Sequence, residues 1–245
     1  MSQIHTLYFM HLNNLGMKIE PPLRLGFWKK NYVTYRRLWL DSCLNAFSNE
    51  MRGKVLDLGG KREKKRGAFQ PPEHQARTWW YVNLDRETTP NIFADVTRTP
   101  LEDQSVDCIL CTEVLEHLPN PQACADEVHR LLRNDGTAFV SVPFFYPVHA
   151  DPYDFQRFTE DGLRRLFREF KSVEVHRMGG YAGSLGLMIE LGIAGLDGQF
   201  ISYRILRWAM KWISRGLCWY DLSIFGRESS SWQKFTTGYF LRVIR

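Results

Sequence analysis

Val55-Leu56-Asp57-Leu58-Gly59-Gly60, with Tyr81-Val82-Asn83-Leu84-Asp85 some twenty residues downstream, is the segment pair that sets the architecture of this chain. An apolar strand running into a glycine pair, then a second strand ending in a carboxylate, is how an α/β sheet holds a nucleoside. Glycine lets the backbone approach the ligand, and the later acid accepts hydrogen bonds from both ribose hydroxyls. A glycine pair alone marks any tight strand-to-helix turn; its weight comes from the ordered segments downstream of it.

Strands are predicted near 53–58, 80–84, 91–95, 106–111, 137–142, 171–177 and 235–245. Between the fourth and fifth, Asn120-Pro121 opens a helix with Ala125, Val128, Leu131 and Leu132 on its apolar face. Asn134-Asp135-Gly136 predicts a stop with a left-handed cap. Thr159 caps a further helix over 160–169, turning Leu163, Leu166 and Phe167 inward. Strands alternating with helices imply an α/β fold, a mostly parallel sheet with helices on both faces. Residues 51–177 and 235–245 form this domain, preceded by a lead-in over 1–50 that carries the breaker Pro21-Pro22. Within the lead-in, Tyr32, Tyr35, Trp39, Cys43 and Phe47 recur at three- and four-residue steps, the pattern of an amphipathic helix on the core.

Residues 178–234 interrupt the plan as a helical insertion before the last strand. A glycine-dotted apolar segment, Gly179 to Gly198, precedes a helix over 199–220. Ile201, Ile205, Trp208, Trp212 and Leu217 mark its apolar face, with Arg204, Arg207, Lys211 and Arg215 between. Trp with Lys and Arg on one helix fits peripheral contact with a membrane surface. A lid, a homodimer face and a cap packed on the sheet are the other readings.

The bulk properties are those of an ordinary globular chain of 245 residues, 44% hydrophobic and 24% charged, with 14% aromatic residues and eight Trp. A net charge of +5 is too small for a nucleic-acid signature; it fits a solvated surface or attraction to anionic partners. Five cysteines, Cys43, Cys108, Cys111, Cys124 and Cys218, show no framework spacing, and Cys-Ile-Leu-Cys reads as a buried strand. With no leader-like start and no run of about 20 apolar residues, a cytoplasmic location is expected, reaching to the inner face of the membrane if the insertion binds there.

The ordered set Val55–Gly60, Asn83-Leu-Asp85, Ala94-Asp95-Val96, Leu101–Asp107, Glu113-Val-Leu-Glu-His-Leu118 and Leu131–Gly136 resembles class I S-adenosylmethionine-dependent methyltransferases. The resemblance implies a Rossmann-like seven-stranded sheet with S-adenosyl-L-methionine as cofactor over the carboxyl ends of the first strands. It places Asp57, Gly59 and Gly60 along the methionine and ribose, and Asp85 on the ribose hydroxyls. Asp95 and Val96 fall by the adenine, and Thr112 and Glu113 face the donor. Ionised carboxylates suit these roles because hydroxyls and an exocyclic amine are donors. One departure stands out. Lys61 occupies the family's usual third-glycine position and opens the cluster Lys61–Arg66. Twenty-eight positions separate Asp57 from Asp85, against about 20 in the dinucleotide fingerprint. That long basic loop is either a solvated charge run or a hold on a phosphorylated acceptor. Glu113-Val-Leu-Glu-His117 lacks the His-Glu-x-x-His order and runs into Pro119, so spacing alone gives no metal site.

After the fifth strand comes Pro143-Phe-Phe-Tyr-Pro-Val-His149-Ala-Asp151-Pro-Tyr153-Asp154-Phe-Gln-Arg157-Phe-Thr159. It resembles the acceptor loop of a bacterial subgroup associated with surface-polysaccharide synthesis, which implies a saccharide or glycan-intermediate acceptor. Methyl transfer to a hydroxyl needs in-line placement and a base. His149 is the candidate base, with Asp151 or Asp154 to orient it. Arg157, Tyr153 and Lys61 are candidate acceptor contacts; Arg157 either binds an anionic acceptor or pairs with Asp154. In purely structural terms, the same loop is a lid stapled by its aromatics and a His/Asp/Arg network. The leading expectation is O-methylation of a saccharide or lipid-linked glycan. A small metabolite or lipid-like quinone is the alternative acceptor, and an inactive scaffold subunit of a glycan assembly complex the alternative class. The Asn/Asp-Pro-Pro-Tyr/Phe tetrapeptide of amino-methylating nucleic-acid enzymes is absent, so no nucleic-acid partner is expected.

Overall fold

A computed structural model of the chain describes residues 33–63, 67–149, 152–194, 201–222 and 234–245. The chain divides into two units: residues 47–178 with 238–245, and residues 1–46 with 179–237.

The first unit holds a seven-stranded sheet ordered β3-β2-β1-β4-β5-β7-β6. Its strands are β1 (Gly53–Leu58), β2 (Ala76–Asn83), β3 (Ile92–Phe93), β4 (Val106–Thr112), β5 (Leu132–Pro143), β6 (Ser172–Arg177) and β7 (Gly238–Ile244). The pairs among β1 to β5 are all parallel, so their carboxyl ends share one edge. β7 runs antiparallel between β5 and β6. This is the expected α/β, mostly parallel sheet.

Side chains alternate across the sheet, so each strand serves two layers. Leu56, Leu58, Ile109, Cys111, Val140, Val142, Leu241 and Val243 face one layer. There they join Val128 and Leu131 of α2 (Pro121–Leu131) and Leu163 and Leu166 of α3 (Glu160–Leu166) in one core. Each fully buried Leu or Val contributes about 1.5–3 kcal/mol. On the other layer Phe47 packs against Phe139 and Phe240, with ring centroids 5.4 and 5.8 Å away. Asn120 caps α2, its Oδ1 accepting from Ala123 N at 3.4 Å with Pro121 in the first turn. Thr159 caps α3 through Gly162 N at 3.2 Å.

Several boundaries differ from expectation: the helix after Thr159 ends at Leu166 rather than 169, and the last strand is Gly238–Ile244 rather than 235–245. α2 ends at Leu131, and Leu132 already belongs to β5, so Asn134-Asp135-Gly136 lies within a strand. Asp135, not Gly136, takes the left-handed conformation, with φ 59°. Gly136 is needed for closeness instead: a Cβ there would sit 2.9 Å from Arg133 O and 3.2 Å from Asp107 O. β2 starts four residues early, since Ala76 pairs with Gly53 in register, and β3 shrinks to two residues.

The described part of the second unit is helical: α1 (Tyr35–Ala46), α4 (Tyr181–Ala194) and α5 (Ile201–Asp221). Tyr35 is fully buried, donates its hydroxyl to Asp221 Oδ2, and burial pushes that hydroxyl well above its ordinary pKa. Gly180 N donates to the same Asp221 oxygen at 2.8 Å. α4 and α5 meet through small residues. Ser214 Oγ donates to Gly186 O at 2.8 Å, and a Cβ on Gly186 would lie 2.7 Å from Cys218 Sγ. Glycine here permits a backbone approach that no side chain would. The Ile/Trp stripe of α5 is therefore not its packed face. Ile205 is 62% and Trp208 64% exposed, while Ser214, Cys218 and Asp221 are buried. Tyr32 and residues 195–200 and 223–233 lie outside the described residues. No described helix is long and apolar enough to cross a membrane.

Candidate active site

The shared carboxyl edge of β1, β2 and β4 gathers the donor-side residues. Gly59 has φ +77°, and a Cβ there would lie 2.5 Å from Val114 Cγ2. A Cβ on Gly60 would fall onto the Asp57 carboxylate, so the turn closes over a buried acid only because no side chain intervenes. Asn83, at the end of β2, ties this turn down: its Nδ2 donates to Gly59 O at 3.0 Å and Gly60 O at 3.2 Å. Its Oδ1 accepts from Asp85 N at 2.9 Å and so aims the next acid. Asn83 stands within the sequence motif, but no spacing signals this bracing role.

Asp85 is exposed. Its Oδ1 caps the short turn Arg86–Thr88 through Glu87 N at 2.9 Å. Asp95 is likewise exposed, with Oδ1 accepting from Thr97 N and Oγ1, both at 2.8 Å. Val96 is buried in the main core. Below this strap, Glu127 of α2 accepts from Thr99 N and Oγ1 at 2.7 Å and from Arg130 Nε at 2.8 Å. Those partners hold its carboxyl below the usual range despite burial. Thr112 ends β4, paired with Ser141 of β5. Glu113 follows with φ 59°, its Oε1 accepting from the buried Ser141 hydroxyl at 2.6 Å. A non-glycine residue held in that conformation is typical of sites whose surroundings fix the backbone. Lys61 is exposed; Lys64, Lys65 and Arg66 lie outside the described residues.

The acceptor-side loop is bound to the 3-10 turn Leu115–His117 that follows β4. Phe155 N donates to Glu116 O at 2.8 Å and Gln156 Nε2 to Leu118 O at 2.8 Å. This brings together residues far apart in sequence. His117 and His149 stand edge to face, ring centroids 5.1 Å apart. Their Nε2 atoms lie 3.7 and 3.8 Å from Oε1 of Glu116, a residue with 0% exposure. His117 Nδ1 donates to Tyr153 O at 2.5 Å. His149 Nδ1 is 3.3 Å from both Pro147 O and Asp154 Oδ2. With Nδ1 carrying the proton, each ring presents an Nε2 lone pair toward Glu116.

Asp154 stands beside the His149 ring. It accepts from His149 N at 2.9 Å and holds Arg157 through both carboxylate oxygens, Nη2 to Oδ2 at 2.7 Å. The Arg157 guanidinium holds the Asp154 carboxyl far below the usual carboxylate range. Burial pushes His149 down, favouring the neutral ring. Arg157 is engaged with Asp154 and Pro147 O. Tyr153 is exposed beside Phe155. Asp151 lies outside the described residues. The spacing of Glu116, His117 and His149 gave no local signal, because His149 arrives by a loop after the next strand. The five cysteines are free and buried, none of them in this cluster.

Residues 78–140, which contain Asp85, Asp95, Glu113, Glu116 and His117, match a family model described as a methyltransferase domain. No curated protein matches the chain. Among solved structures the chain is similar to a SAM dependent methyltransferase from Archaeoglobus fulgidus, at 14% identity and TM-score 0.54, over 85% of this chain and 94% of that one. It is also similar to phosphoethanolamine N-methyltransferase 2 of Haemonchus contortus in complex with S-adenosyl-L-methionine. That match has 12% identity and TM-score 0.50, over 89% of this chain and 55% of that one. These likenesses establish the Rossmann-like α/β fold. The match to the methyltransferase-domain model supports methyl transfer as the activity, with S-adenosylmethionine as the cofactor.

Proposed function

We propose that the protein transfers a methyl group from S-adenosylmethionine to a hydroxyl of a saccharide or lipid-linked glycan intermediate. The observation that carries this reading is the oriented His149. A neutral imidazole, fixed by Asp154 and Pro147 O at the carboxyl edge of the sheet, can take a hydroxyl proton through Nε2. An alcohol needs that proton removed before it attacks.

The residues fit the donor. Gly59 and Gly60 form a turn with no side chain over the Asp57 carboxylate, a cradle for the cationic methionine end. Asp85 accepts from the ribose hydroxyls, Asp95 and Val96 border the adenine, and Thr112 and Glu113 face the methyl-bearing centre. Bound, the cofactor supplies an electrophilic methyl on a sulfonium. Around it the chain orients the acceptor and accepts its proton at His149 Nε2. Tyr153 offers an exposed ring to a sugar face, and Lys61 an exposed charge to an anionic acceptor. We assign these roles to residues 51–177 with 235–245.

One observation favours a second element of the reading. The exposed face of α5 carries Ile205, Trp208, Trp212 and Trp219 with Arg204, Arg207 and Lys211, a face suited to an anionic bilayer. A lipid-linked acceptor would reside in such a bilayer.

Calorimetric titration with S-adenosylhomocysteine, wild type beside Asp85→Ala, tests the donor site. Micromolar binding lost in the variant supports the reading. No binding by folded wild type removes it and leaves a scaffold.

A further inference from the structure

We propose that Glu116, His117 and His149 form a binding site for a divalent transition-metal ion on the acceptor side of the active site. The inference rests on the methyltransferase reading for its purpose but not for its geometry. One ligand atom from each residue lies within 4.8 Å of the other two. The two Glu116–imidazole separations, 3.7 and 3.8 Å, are too long for hydrogen bonds. Two metal–ligand bonds of about 2.1 Å span up to about 4.2 Å, so an ion fits between Glu116 Oε1 and either imidazole, and small side-chain rotations bring all three atoms, already within 4.8 Å of one another, into its shell.

The tautomers point the same way. Each imidazole directs Nδ1 at a carbonyl, His117 at Tyr153 O and His149 at Pro147 O, with Asp154 also beside His149. Histidines that ligate metals through Nε2 almost always donate Nδ1–H to a carbonyl or carboxylate in this way. The result is two lone pairs and a buried carboxylate oxygen converging on one point. A divalent cation at that point is held by all three at once.

Two imidazoles and one carboxylate suit Zn²⁺, Mn²⁺, Fe²⁺ or Co²⁺ better than Ca²⁺ or Mg²⁺, which favour oxygen ligands. Three protein ligands leave a coordination position open. An acceptor hydroxyl filling it becomes more acidic and releases its proton to solvent. Its oxygen pair then forms the C–O bond as the methyl–sulfur bond breaks and the sulfonium becomes a neutral thioether. With the ion bound, His149 acts as a ligand instead of a base.

The test uses the full, tag-free chain, stripped with chelator and titrated with Zn²⁺ by calorimetry and with Co²⁺ by visible absorption. Glu116→Gln and His149→Gln are run beside it, and S-adenosylhomocysteine binding reports the fold of each. The expected result is one ion per chain, no thiolate charge-transfer band, and affinity at least about tenfold weaker in either variant. Three results overturn the site: no binding by a wild type that binds S-adenosylhomocysteine, binding undiminished in both variants, or a thiolate band placing the ion on cysteine. Loss of S-adenosylhomocysteine binding with ion binding intact would instead remove the donor reading alone.

Discussion

Glu127→Ala should both destabilise the protein and weaken donor binding, although Glu127 touches no ligand in the proposed site. The carboxylate joins two hydrogen bonds from Thr99, at 2.7 Å each, to two from Arg130, at 2.8 Å each. Thr99 is 6% exposed, so removing its acceptor leaves a buried N–H and hydroxyl unsatisfied, at about 1–3 kcal/mol. Arg130 keeps Leu101 O and Asp103, and its partial exposure limits its share to about 1 kcal/mol. The sum, about 2–4 kcal/mol, corresponds to a fall in Tm of roughly 4–16 °C for a chain of this size. Thr99 lies three residues beyond Val96, so the adenine-side strap should loosen with it. Scanning calorimetry and S-adenosylhomocysteine titration read the two effects. The Glu127 carboxyl is held below its ordinary value, so its contribution is full above the unfolded pKa and lost as pH falls through the folded one. The gap between wild type and variant should therefore close in acid. A Tm within about 1 °C of wild type at neutral pH would refute this account of the strap.

His176 packs against Phe47 and Phe240, and burial pushes its pKa down. Its contribution is full above the unfolded value of about 6.5 and lost as pH falls through the lower folded value. His176→Phe should flatten that part of the stability profile in urea titrations from neutral pH into mild acid; an unchanged slope would exclude His176 as its source. Trp208→Ala with Trp212→Ala should reduce co-sedimentation with anionic vesicles and leave S-adenosylhomocysteine affinity intact. Wild type that stays in the supernatant, or dimerises through this face, would remove the membrane role.

The succession of strands and helices along the chain is legible because it rests on local signals: apolar runs, the Gly59-Gly60 turn and the Asn120 and Thr159 caps all act within a few residues. What is not legible depends on partners distant in sequence. The stop expected at Asn134–Gly136 fails because β4 and β7 recruit 132–143 into a strand. The face of α5 that packs on α4 is not legible in its apolar stripe, because Gly186 of α4 sets how closely the helices approach around Ser214 and Cys218. Asp85, Asp95, His149 and Asp154 of the proposed site are visible as candidates because they stand in ordered motifs. Asn83, Glu127 and the convergence of Glu116 with two histidines do not, since each acts through a tertiary contact that no spacing encodes.

The register of the last ladder has a consequence for how this fold tolerates change. Arg177 of β6 pairs with Tyr239 of β7, and Met178 N donates to Gly238 O at 2.9 Å. The chain thus leaves the sheet and returns to it one hydrogen bond apart, and everything between is topologically a hairpin loop. Closure entropy rises slowly with loop length, by about 0.6 kcal/mol for each doubling, so the sheet is nearly indifferent to how much polypeptide hangs there. That junction is a natural grafting point at which segments of very different size can be exchanged. The helix Tyr35–Ala46 limits the freedom of exchange: its fully buried Tyr35 is bonded to Asp221, so any transplant must carry both stretches together.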